Sequence, residues 1–163
     1  MSEATLTTSN GILRFLFDFN HMAITRNCDT LTHAESLLAP PNGANCANWV
    51  LGHILTNRSF VLELVREQPL WSEADGAVYA MHSKTLEPKD ARPFDAMLAD
   101  LETTQERLRR GLENLAPEEL DLKHEEGARR PRGAQLHFMH FHEGYHSGQL
   151  GLLRRIAGKP GAI

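Results

Sequence analysis

Residues 141–150 read FHEGYHSGQL, and within them His142-Glu143-Gly144-Tyr145-His146 matches the H-E-x-x-H pattern of zinc proteases. Two histidines four apart on a helix face the same way and can share one metal, with the intervening glutamate as general base. The chain after His146, SGQLGLLRRIAGKPGAI, has no Glu, Asp or His to complete a protease site. The extended protease pattern would need Gly and His where Gln149 and Leu152 stand. Nor does any stretch alternate like a strand that could hold an extended peptide. The five letters therefore point to another helical metal site, and the remaining ligand must come from elsewhere in the chain.

Working outward from that stretch, the pattern is helical throughout. The helix carrying it runs from about Gly133 to Ala157 and stops at GKPGAI. Upstream, Phe94, Met97, Leu98, Leu101, Leu108, Leu112 and Leu115 form one stripe behind the proline of RPFDAM. A helix from Asn45, read as its cap, extends to about Glu67 after the break APPNGAN. The first helix starts near Asn10, with Leu13, Phe17, Asn20, Ile24 and Leu31 at helical spacing. Two connections are long, 68–92 and 116–132, and loops of that size are uncommon in a compact domain unless functional or partly helical. The expected fold is all-α, a single domain over 1–163, with four helices and a long crossover between the second and third.

Both His142 and His146 fall on the apolar stripe of their helix, with Met139, Leu150 and Leu153. His53 lies on the inward stripe of the second helix, with Cys46, Trp49, Phe60 and Leu64. A lone inward histidine is ordinarily a hydrogen-bonded core residue. Three aimed at one core would each pay for burial, and a metal removes that cost by taking one nitrogen of each ring.

GANCANWVLGHI (43–54) and FHEGYHSGQLGLLRRIAG (141–158) together resemble the DinB-like, or YfiT-like, metalloenzyme superfamily, in its N-W-x-x-x-H and H-x-x-x-H-x-G-Q motifs. The resemblance implies an up-down-down-up four-helix bundle with His53, His142 and His146 as metal ligands. It also implies, among some relatives, S-transferase or isomerase chemistry dependent on a low-molecular-weight thiol. Three neutral imidazoles leave a divalent ion with an open position, the arrangement of catalytic sites. Zinc is the expected metal, with nickel as the alternative. Small-molecule partners are then a thiol cosubstrate and an electrophile; metal-dependent hydrolysis or a non-catalytic, stress-associated metal-binding bundle are the other readings.

Several residues have two readings. Glu143 is a general base or a helix-packing carboxylate. Asn57, one turn after His53, and Gln149, in the resembling motif, are candidate cofactor-binding residues; a hydrogen-bonded core asparagine is the plainer account of Asn57. Cys46 is a soft fourth ligand or a small buried residue at a helix start. ARRPR at 128–132, with Lys123, is a solvated loop or a face that holds carboxylates.

A net charge of −4 gives no reason to expect nucleic acid or an anionic membrane as partner. No apolar run approaches the roughly 20 residues of a membrane span, and MSEATLTTSNG does not read as a leader. Two cysteines outside any C-x-x-C motif suggest a cytoplasmic protein with reduced thiols. Finally, Gly144, Gly148 and Gly151 lie opposite the histidine stripe, and Leu51, Leu55 and Leu62 lie opposite His53. Both faces need covering, and a two-fold homodimer is expected to do it.

Overall fold

Among the described residues six α-helices follow one another: α1 (Ser9–Cys28), the single turn α2 (His33–Ser36), α3 (Ala47–Leu64), the single turn α4 (Glu73–Gly76), α5 (Phe94–Asn114) and α6 (Arg132–Ile156). The structure, a computed structural model, describes residues 8–41 and 43–163, among which there is no strand. Of MSEATLTTSNG (1–11), on which the leader reading was made, residues 1–7 fall outside them.

Helix ends follow local chemistry. The Thr8 hydroxyl accepts from Gly11 N at the start of α1 (3.1 Å). Pro93 and Pro131 precede α5 and α6, where a missing N–H costs nothing. Asn45 does not cap α3. Cys46 holds that position and makes no side-chain cap bond, because α3 begins one residue later than the sequence suggested. The open carbonyl at the far end of α3, that of Leu64, accepts from Arg132 Nη1 at the start of α6 (2.7 Å).

Cross-helix bonds set the directions. Asn20 Nδ2 donates to the His140 carbonyl and, seven residues on, Asn27 Nδ2 donates to the Ser147 carbonyl, so α1 and α6 run parallel. Asn10 meets Leu115 while His21 meets Glu102, so α1 and α5 are antiparallel. His53 lies by His142 and Arg132 reaches Leu64, so α3 opposes α6. The directions of α1, α3, α5 and α6 are therefore up, down, down, up. Parallel α3 and α5 need a crossover that spans the bundle. Residues 65–93 provide it, and they are partly helical: α4 is followed by 3-10 turns at Ala77–Tyr79 and Pro88–Asp90. Trp71 and Tyr79 of this segment are buried in the core.

The interior has two apolar halves with a polar layer between them. Leu13, Phe17, Val61, Leu108 and Met139 belong to one half, and Ile24, Ile54, Leu101 and Leu150 to the other. In the layer, Arg58 is 1% exposed and grips Glu143 with two bonds, Nε to Oε2 (2.8 Å) and Nη2 to Oε1 (2.6 Å). Its Nη1 donates to Gln105 Oε1 (2.6 Å), and Gln105 Nε2 donates to Asp18 Oδ1 (2.6 Å). One network thus ties all four long helices.

Much of the two outer faces that suggested a dimer is covered within the chain. Leu51, Leu55 and Leu62 are buried. A Cβ on Gly144 or Gly151 would sit 3.4 Å from Asn20 or Asn27, so these glycines let α1 approach α6 closely enough for the two asparagine bonds. Gly148, between them, faces open space.

Candidate metal centre

His53 on α3 and His142 and His146 on α6 converge where the polar layer meets the surface. Their ligand atoms lie within 4.8 Å of one another. Nε2 of His142 is 3.1 Å from Nε2 of His146 and 3.3 Å from Nε2 of His53. The far side of two rings is fixed: the Tyr79 carbonyl accepts from His53 Nδ1 (2.8 Å), and Gln149 Oε1 accepts from His146 Nδ1 (2.7 Å). A proton held on each Nδ1 leaves each Nε2 with a lone pair directed at the common point. His142 Nδ1 is buried without a partner. With its proton on Nε2 the His142 ring can donate to only one of its two neighbours, and with its proton on Nδ1 to neither, so at least one contact sets two lone pairs face to face. A shared cation removes that repulsion, so the donor set fits a metal.

Electrostatics keep the rings neutral. Burial, reinforced by the charges His146 and His53 would carry, pushes His142 down to about 4. Burial also lowers His53 against the opposing effect of the Tyr79 carbonyl, and lowers His146 against that of Gln149. Neutral imidazoles are what a divalent ion requires.

The alignment of His53 depends on a glycine. A Cβ at Gly52 would lie 2.3 Å from Tyr79 Cδ1, so only glycine lets that ring pack across α3. The Tyr79 hydroxyl accepts from Arg92 N (2.8 Å) and donates to Asn48 Oδ1 (3.3 Å), which anchors the crossover and places its carbonyl on His53. Trp49 stacks on a face of the His53 ring, 4.9 Å between centroids.

The site opens into a cavity of about 520 Å³ whose walls include Trp49, Met81, Tyr145, Gln149 and Leu152 beside the three histidines. Among the described residues that line it, none is Asp, Glu, Lys or Arg.

Each sequence candidate now has a place. Gln149 orients His146. Asn57 Nδ2 donates to the His53 carbonyl (2.7 Å) and sits 3.3 Å from His53 Nε2, beside the ligand cluster. The general-base expectation for Glu143 has no geometric support, since both its oxygens accept from Arg58 and it does not line the cavity. Its packing toward the polar layer is the reason. Cys46 is buried at the start of α3 and is not one of the clustered ligands. Sequence reasoning missed Tyr79, which acts through its backbone and so leaves no side-chain signal, and Arg58, the one Lys or Arg of α3. The glycine before His53 was the one legible hint of a close approach.

The DinB superfamily profile matches residues 16–150. The chain belongs to the DinB superfamily. No curated protein matches it. Solved structures do, among them the crystal structure of a conserved protein from Enterococcus faecalis. That structure has a TM-score of 0.72 and is 17% identical, covering 94% of this chain and 99% of its own. At that identity the likeness concerns the fold alone, and this DinB-superfamily chain's chemistry has to be argued from its own cavity.

Proposed function

We propose that the chain is a metal-dependent enzyme in which His53, His142 and His146 hold one divalent ion, zinc foremost, and that it transfers a low-molecular-weight thiol to an electrophilic carbon. The observation that carries this reading is three Nε2 lone pairs converging in the wall of an open cavity without charged walls. A divalent ion there supplies positive charge that lowers the pKa of a bound thiol or water and makes a nucleophile available near neutral pH.

The protein's own contribution is orientation and exclusion. Tyr79 and Gln149 fix two rings, and Trp49, Met81 and Leu152 give the electrophile an apolar surface. The uncharged lining favours thiol transfer over amide hydrolysis. Hydrolysis needs an acid to protonate the leaving amine. A thiolate whose proton has gone to bulk water instead forms its bond to carbon as the bond to a leaving group breaks, and a group that departs as a stable anion needs no acid in the walls.

The test is metal analysis followed by a screen of thiols against model electrophiles. Replacing any one of the three histidines by Ala is expected to strip most of the metal while the circular dichroism stays helical. Unchanged metal content in all three variants would sink the metal reading. Loaded protein that hydrolyses an ester but accelerates no thiol conjugation would make it a hydrolase.

A further inference from the structure

A second cavity, of about 400 Å³, lies at the start of α6 between that helix and residues 122–132. Its apolar walls include Phe60, Phe138 and Met139, and its polar walls include Arg129 and Arg130. We propose that it is a binding site for a small organic anion, a carboxylate on an aromatic body. The reading is independent of the metal.

The charge is available. Of the exposed or half-exposed arginines elsewhere, Arg14, Arg66, Arg92, Arg109 and Arg110 have a carboxylate partner, while Arg26, Arg107 and Arg155 make no ion pair with a described residue but do not line this cavity. Among the described residues, neither Arg129 nor Arg130 has one within ion-pair distance, although acids outnumber bases in this chain. The acidic side chain in the same wall, Glu125, is directed at His124 Nε2 (3.5 Å). The Arg130 guanidinium instead lies over the Phe138 ring, 5.8 Å from its centroid, where it can clamp a planar ligand and still present N–H groups to a carboxylate.

The site is also built in advance. Gln135 Nε2 donates to the Arg130 carbonyl (2.9 Å) and contacts His124 Nδ1 (3.1 Å), binding both ends of the loop to α6. Arg132 N donates to the Leu122 carbonyl (2.8 Å), which closes the loop on itself, and Ala128 at its centre is buried. Ligand binding therefore need not order a free loop. The aromatic floor is specific too: half-exposed Phe138 stands beside His124, which meets Phe60 edge-on at 5.6 Å. Phe138 also stacks on His142, 6.4 Å between centroids, so a ligand seated here lies about one helical turn from the metal centre.

The test uses the full chain and calorimetric titration with 4-phenylbutyrate, its neutral twin 4-phenylbutyramide, and inorganic phosphate. Saturable one-to-one binding of the carboxylate is expected, at least tenfold tighter than the amide or phosphate. The Arg129→Gln/Arg130→Gln variant should lose at least tenfold, and Phe138→Ala should weaken binding as well. Stripping metal with a chelator should leave these affinities unchanged, so failure here is separable from failure of the metal reading. Equal binding of carboxylate and amide, wild-type affinity in the double variant, or no saturable binding would overturn the site. Phosphate binding as well as the carboxylate would overturn the organic ligand class. The two arginines are exposed and unpaired, so the variant is expected to fold.

Discussion

At the residue scale, the centre depends on groups that do not touch the metal position. Gly52 is the sharpest case. Its missing side chain is the space that the Tyr79 ring occupies, and Tyr79 supplies the carbonyl that orients His53. Gly52→Ala is expected to displace that ring and loosen His53, lowering metal affinity by about tenfold or more. A chelator competition titration measures this; wild-type affinity would show that His53 holds its direction without the Tyr79 carbonyl. Gln149 belongs to the same logic, since its amide oxygen is what leaves the His146 lone pair facing the centre. The sequence offered Gln149 as a cofactor-binding candidate and not as the group that orients His146, because a hydrogen bond one turn along a helix is visible only when the ring orientation is known.

At the scale of elements, the buried Arg58–Glu143 pair matters most. It joins α3 five residues beyond His53 to α6 at the residue next to His142. The pair thereby sets the register in which ligands from two helices meet. Removing one partner leaves a buried charge alone: Arg58→Met should destabilise the fold by about 3–5 kcal/mol. Adding Glu143→Leu should recover much of that loss, because two apolar side chains can fill the layer without a desolvation penalty. Urea denaturation of the three proteins checks it. A double variant no more stable than the single one would mean that the network to Gln105 and Asp18, and not the pair alone, carries the stabilisation.

For the whole molecule, the ligands come from two helices with nearly ninety residues between them, so they are assembled only in the folded chain. Metal binding must therefore stabilise the fold. At a free metal concentration 100 times Kd the gain is about 2.7 kcal/mol. For a chain of this size that corresponds to a rise in Tm of about 2–4 °C per kcal/mol. Calorimetry with added zinc should show the shift, a chelator should reverse it, and His142→Ala should abolish it. An unmoved Tm in the wild type would separate the histidine cluster from the folding equilibrium.

What the sequence determined by itself is what periodicity and short-range spacing encode. Four helical stripes, His142 and His146 one turn apart, and His53 on an inward face were all legible, because each depends on residues a few positions apart in one helix. Where the chain needed long-range pairing, the sequence left alternatives that only the tertiary structure resolved. Glu143 could have faced solvent or the core, and it faces Arg58 because α3 presents a guanidinium there. Gly144 and Gly151 could have admitted a second copy or another helix, and α1 lies against them with two asparagines. Leu51, Leu55 and Leu62 looked like an outer face, but a helix packed on several sides needs more than one apolar stripe. The crossover was legible as a length, while its use was not: a backbone carbonyl orients a ligand, and carbonyls are the same at every residue.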